Sequence, residues 1–137
     1  MPRSPVIVDT NIAVAGLLTA SDDSPVARVL DGMLAAAFPF VVSEALLAEY
    51  RAVLVRPKLR KLHGLPVEAI ESILTDLAQH AIVLAPVAAP PAPDPGDQLL
   101  WELLAARGDL VLVTGDKRLR DDQGMLGRVI SAAEFLG

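Results

Sequence analysis

The chain has 137 residues, 53% hydrophobic and 21% charged, with a formal net charge of −5 and no cysteine. That length supports one domain, residues 1–137, with one ordinary core. The composition excludes a disordered chain, and the lack of thiols excludes disulfide staples and thiolate metal ligands. The acidic balance argues against a nucleic-acid partner, unless several of the acids are gathered in one place.

The N-terminus enters a strand by Val6 without a basic head, apolar stretch and cleavage site, so no signal peptide is expected. Pro5 to Asp9 is a short β-branched run, a buried first strand. A helix is expected over 11–19 and a turn at Ser21 to Ser24. Ser24 then caps a helix over 25–37, with Pro25 at its first position. The apolar stretch from Met33 to Val42 is broken by Pro39 and is too short to span a bilayer. The expected compartment is the cytoplasm, with no membrane partner.

Phe40 to Val42 reads as a second strand, and Ser43 caps a helix running to Val55. Arg56-Pro57 breaks that helix. A short basic helix follows over 58–63, closed by Gly64, and Pro66 starts another to His80. Residues 81–85 form a third strand. From Ala85 to Gly96, five of twelve positions are proline, which gives a stiff, extended connection and not a central strand. A helix over 97–107 ends at Gly108. A strand over 110–114, a helical turn at Lys117, a last strand over 128–130 and a terminal turn over 131–136 complete the chain. Strands alternating with helices imply a parallel sheet, covered on both faces and wound by right-handed crossovers.

Four acids stand where hydrophobic runs end: Asp9, Glu49, Asp97 and Asp116. In a parallel α/β sheet the carboxyl ends of the strands share one edge, where sites form. Acids gathered there repel one another unless a cation shares them. Without these four, the net charge of −5 becomes −1. Asp9, Asp97 and Asp116 each have a bland alternative as a helix cap or turn residue. Glu49 does not, because its helical neighbours at three and four residues are Ala45, Leu46, Ala52 and Val53. A carboxylate on such an apolar face is costly unless paired or metal-bound. Glu44 is the contrast, on the side of Ala48 and Arg51 and in the first turn, where the helix dipole and solvent account for it. Oxygen ligands without a Cys or His set favour Mg²⁺ or Mn²⁺ over zinc, and a site for one or two such ions suits phosphodiester hydrolysis.

Val8-Asp9-Thr10-Asn11, Ser43 with Glu49-Tyr50, Asp94-Pro95-Gly96-Asp97 and Thr114-Gly115-Asp116-Lys117 together resemble the PIN domain. The nearest likeness is to the toxins of toxin–antitoxin pairs, ribonucleases of the VapC type, and it runs from Val6 to Phe135. The resemblance implies a three-layer α/β/α sandwich with a central parallel sheet of four to five strands. It also implies Mg²⁺- or Mn²⁺-dependent cleavage of RNA, an antitoxin partner and a homodimer. Asp9, Glu49, Asp97 and Asp116 match the metal-binding carboxylates, and Asn11, Ser43 and Thr114 the supporting polar positions. The pattern departs at Gly96 and Arg118, where the family often carries acids, which lowers the charge available for a second metal. Asp94 is an outer ligand or a structural turn residue.

Arg51, Arg56, Lys58, Arg60 and Lys61 fall close together. They suit RNA phosphates, or equally a solvated helix face with cations near its end, since no aromatic platform accompanies them. Lys117 has the same two readings. His63 and His80 lack a ligand-spaced partner, and Trp101 belongs with Leu100, Leu103 and Leu104 in the core or an interface. A haloacid-dehalogenase-type phosphatase needs a second Asp where Asn11 stands, and a receiver domain needs an acidic pair and phosphoacceptor that do not fit. The remaining rival is a PIN-like module, weak or inactive as an enzyme, that binds RNA or protein.

Overall fold

The computed structural model describes residues 4–125 and 128–137. Strand β1 (Val6–Val8) leads into helices α1 (Thr10–Leu18) and α2 (Pro25–Leu34) and then β2 (Val41–Val42). Helices α3 (Glu44–Leu54), α4 (Pro57–His63) and α5 (Val67–His80) follow, and then β3 (Ile82–Val83). A 3₁₀ turn at Pro95–Asp97 opens α6 (Gln98–Leu104), which leads to β4 (Val111–Val113) and α7 (Lys117–Arg120). A 3₁₀ turn at Gln123–Met125 precedes β5 (Val129–Ile130) and α8 (Ala132–Leu136).

All strand pairings are parallel. β4 lies between β1 and β5, β2 pairs with β3, and a single bridge from Val6 to Phe40 links the two groups. The strands therefore follow one another as β3, β2, β1, β4, β5. The chain leaves β1 towards β2 on one side, and β4 leads to β5 on the other. The order reverses between β1 and β4, which is the topological switch point where open α/β sheets form a crevice at the strand carboxyl ends. Val6, Ile7 and Val8 are all buried although they alternate in direction, so β1 is covered on both faces. This is the three-layer α/β arrangement expected.

The strands are shorter than the apolar runs that encode them. β3 covers only Ile82 and Val83, both exposed on the sheet edge, and the proline-rich chain after it forms no ladder in which to continue. The helix starts follow their caps: the Ser24 hydroxyl accepts from the Ala27 amide, the Ser43 hydroxyl from the Leu46 amide, and Ser131 and Glu134 form a reciprocal box. α2 stops at Leu34, three residues early, because Ala36 turns to a positive φ of 52°. α4 starts at Pro57 and closes at Gly64, whose φ of 68° suits a residue without Cβ.

α6 ends at Leu104 and not at Arg107. Its free carbonyl end is met by Arg128, whose guanidinium donates to Leu104 O at 2.8 Å, Arg107 O at 2.7 Å and Leu110 O at 3.2 Å. Leu100, Trp101, Leu103 and Leu104 are buried, each adding roughly 1.5–3 kcal/mol of hydrophobic stabilisation. Trp101 is thus a core residue, and this face fixes where the helix carrying Asp97 begins.

Candidate active site

Asp9 follows β1, where its amide still donates to Val113 O at 2.9 Å. It occupies the position before α1, yet its side chain does not cap the helix. Its Oδ2 instead accepts from the Thr114 hydroxyl at 2.7 Å. Asp97 likewise stands at the start of α6 without a capping bond. For these two acids the bland alternative fails. For Asp116 it holds, since Oδ1 accepts from the Arg118 amide at 2.9 Å and caps α7. Asp94 is also a turn residue, accepting from the Gly96 amide at 2.8 Å.

Glu49 lies on α3 beside the buried stripe Leu46, Tyr50 and Leu54. The fully apolar surround expected of it is only half realised: Ala45 and Ala52 are exposed, while Leu46 is buried and Val53 half-buried. The carboxylate is half-buried, and its Oε2 accepts from the Thr10 hydroxyl. Glu44 is exposed and lies elsewhere, as its position in the helix predicts.

Asp9, Glu49, Asp97 and Asp116 line one open pocket of about 520 Å³ at the switch point, with Thr10, Asn11 and Arg56 at its walls. Val14, Ala15, Leu18 and Val53 supply its apolar part. Thr114, fully buried, connects two of the acids: its hydroxyl donates to Asp9 and accepts from the Asp116 amide at 3.1 Å. Asn11 Oδ1 accepts from the Gly115 amide at 3.4 Å and so ties the start of α1 to the turn after β4.

Two residues that stand in the sequence motifs, but to which the sequence assigned no role, hold this geometry. The Thr10 hydroxyl orients Glu49, and the buried Tyr50 hydroxyl donates to Val8 O, fastening α3 to the end of β1 one residue before Asp9. Gln98, outside those motifs, is a third. Its side chain accepts from the Ala92 amide at 2.8 Å and donates to Pro90 O at 3.1 Å, strapping the proline-rich segment against the start of α6.

The electrostatics record the crowding. Burial pushes the Asp9 carboxyl above its usual range; the Thr114 hydroxyl opposes this, and the charges of Glu49 and Asp116 add to it. Asp97 is pushed up to about 6, first by burial and then by the charges of Asp9, Asp94, Asp116 and Glu49. Asp116 moves the other way, because the Arg118 side chain hydrogen-bonds to it. These are oxygen donors alone, the set that Mg²⁺ and Mn²⁺ prefer. Among the described residues, no three His, Asp or Glu side chains converge closely enough to hold one ion as they stand. The donor set fits such a cation in chemistry and in common location; mutual repulsion favours side-chain positions that keep the carboxylates apart.

Other expected residues fall outside the pocket. Ser43 is buried as the α3 cap and acts on Glu49 only by starting its helix. Arg51 pairs with Glu71 at 2.5 Å and Lys117 with Asp121 at 2.6 Å, both exposed. Lys58, Arg60 and Lys61 are exposed on α4 and make no ion pair among the described residues. Arg56 alone of the basic group reaches the pocket. His63 is structural, bonded to Leu54 O at 3.0 Å and to the Leu65 amide at 2.9 Å, and His80 is exposed in the last turn of α5.

The PIN domain family matches residues 5–118, a span that holds all four acids. The chain belongs to the PIN-domain family. PIN domains are nucleases as a family and typically use divalent metal ions, which agrees with the oxygen-donor pocket at the switch point. This PIN domain is similar in fold to the crystal structure of PAE2754 from Pyrobaculum aerophilum, with a TM-score of 0.61 and 17% identity. The match covers 96% of this chain and 86% of that one. No curated protein sequence matches this PIN domain. Among the described residues, no helix is long and apolar enough to cross a membrane.

Proposed function

We propose that this PIN domain is a Mg²⁺- or Mn²⁺-dependent endoribonuclease. One observation carries the reading: four carboxylates from four separate stretches of chain face one pocket, and two of them, Asp9 and Asp97, forgo the capping bonds available to them. Asp9 and Glu49 are each held by a threonine hydroxyl and carry no cation partner among the described residues. The Asp97 carboxylate makes no hydrogen bond among the described residues, so these three offer oxygens to a cation. A bound divalent ion supplies charge neutralisation and Lewis acidity at a phosphodiester. Arg56, at the pocket wall, meets the scissile phosphate or its neighbour. Lys58, Arg60 and Lys61 on α4, without an ion pair among the described residues, carry the flanking RNA backbone away from the acids. The test is cleavage of RNA with Mg²⁺ or Mn²⁺, with EDTA, and by Asp9→Asn. Activity that survives both EDTA and the substitution overturns the mechanism.

The finer role, the toxin of a toxin–antitoxin pair, rests on the sequence resemblance of the motif set. In that role a small antitoxin places a basic side chain among the carboxylates, and the toxin acts in the cytoplasm as a homodimer. Co-expression with the neighbouring short reading frame should then abolish cleavage and co-purify a complex, and light scattering of the free chain should give twice its 14.5 kDa mass. A second reading, a PIN-fold module that binds RNA or protein with little or no cleavage, draws on Arg118, which ties up Asp116. Under that reading Mn²⁺ gives no thermal shift, and Asp9→Asn stabilises the chain without altering any cleavage.

A further inference from the structure

Among the described residues, Asp116 is the one pocket acid paired with a cation. Its Oδ1 accepts from the Arg118 amide at 2.9 Å and from Arg118 Nε at 3.4 Å, and its Oδ2 accepts from the Arg118 terminal nitrogen at 3.1 Å. All three donors belong to one residue, two positions along. Asp9 and Glu49 are held by neutral donors, the Thr114 hydroxyl and Thr10 backbone for the first and the Thr10 hydroxyl for the second. Arg118 is therefore the cation that the chain itself pairs with a pocket acid among the described residues, while Arg56 lines the wall without such a pair.

We infer that Arg118 is a tethered counter-ion that competes with a divalent cation for Asp116, so that metal affinity is set from inside the chain. The inference rests on the proposed metal-dependent reading of the pocket. Asp9, Glu49 and Asp97 then form the primary ligand set, and Asp116 joins only when the guanidinium swings away. The swing is cheap. The Arg118 side chain is 66% exposed and Asp116 23% exposed, so the pair is solvated and weak, and a freed guanidinium is readily hydrated. The capping bond from the Arg118 backbone persists in either state, so α7 does not unwind when the side chain leaves. Electrostatics agree with the placement, since Asp94 and Asp97 also act on the Arg118 guanidinium, after Asp116.

The test is isothermal titration of Mn²⁺ into the wild-type chain, Arg118→Ala, Lys117→Ala and Arg118→Ala in an Asp116→Asn background. Arg118→Ala should bind Mn²⁺ roughly fivefold more tightly, near the upper range for release from an exposed ion pair. Lys117→Ala removes the same charge one residue away, from a pair with Asp121, and should change affinity less than about twofold, because solvent screens a charge outside the pocket. In the Asp116→Asn background the gain should be absent. Arg118→Lys, a compact charge without the two-pronged grip, should fall between wild type and Arg118→Ala. Equal or weaker binding by Arg118→Ala, an equal gain in Lys117→Ala, or a gain that survives Asp116→Asn overturns the inference alone. If no variant, wild type included, takes up Mn²⁺ at millimolar concentration, the metal-dependent reading falls with it.

Discussion

Replacing Asp97 by Asn should stabilise the metal-free protein at neutral pH. The folded-state pKa of Asp97 is raised from 3.8 to about 6 by burial and by the charges of Asp9, Asp94, Asp116 and Glu49. A carboxyl with a raised folded pKa favours the fold while protonated, so its contribution is present below the unfolded pKa and is lost as pH climbs through the folded one. Here the window runs from 3.8 to about 6. Two pKa units correspond to about 3 kcal/mol unscreened, at 1.36 kcal/mol per unit. Asp97 is only half-buried, so solvent screening reduces this to about 1 kcal/mol. In EDTA at pH 7.5, Asp97→Asn should therefore raise Tm by about 3–5 °C for a domain of this size. The gain should shrink as pH falls and vanish near pH 4. Added Mn²⁺ should invert the order, because the wild type keeps the ligand. Differential scanning fluorimetry across pH 4–7.5, with and without Mn²⁺, reads all three. A loss of Tm at pH 7.5 in EDTA, or a shift independent of pH, would refute the reasoning.

Thr114→Val keeps the shape but removes the buried hydroxyl that serves both Asp9 and the Asp116 amide. It should cost about 1–3 kcal/mol by urea denaturation, and a change under 0.5 kcal/mol would contradict the bridging role. Gly16→Ala should destabilise despite the better helix propensity of Ala. The new Cβ would lie 2.6 Å from Val26 O and 3.0 Å from Leu30 Cβ, where α1 meets α2, with an expected net loss of about 1–2 kcal/mol. Equal or higher stability in the same denaturation assay would show that α2 gives way freely. The triple change of Lys58, Arg60 and Lys61 to Ala should weaken binding of a single-stranded RNA under EDTA. It should reduce the salt slope of log K by about 2, near 0.7 for each phosphate left without its cation. Fluorescence anisotropy across a salt series measures both, and an unchanged slope would assign these cations to a merely solvated face.

Much of the fold was legible in sequence because it rests on local chemistry. Ser24 and Ser43 mark helix starts by a hydroxyl that reaches an amide three residues on, and Pro25 and Gly64 set φ where the chain turns. The apolar runs of β1 and β4 read as strands because both their faces are covered. Element lengths were less legible. α6 stops where Arg128, from a distant stretch, takes its carbonyls, and β3 is cut to two residues on the sheet edge by a ladder that does not continue.

For the site, the sequence by itself singled out the four acids, three before helix starts and Glu49 within α3, because residue type and periodicity are written along the chain. It left Asp9, Asp97 and Asp116 each with a capping alternative, because an Asp before a helix looks the same whichever way its carboxylate turns. Only the tertiary structure decided among them. The pairing of β1 with β4 brings Thr114 to Asp9 over 105 positions, the packing of α1 on α3 brings Thr10 to Glu49 over 39, and no local rule encodes such pairings. It also turned Arg118 from a missing acid into the partner of Asp116. The physical reason is common to all of them: local bonds follow from neighbouring residues, whereas the charges and hydroxyls that share a pocket are set by the order of strands in the sheet.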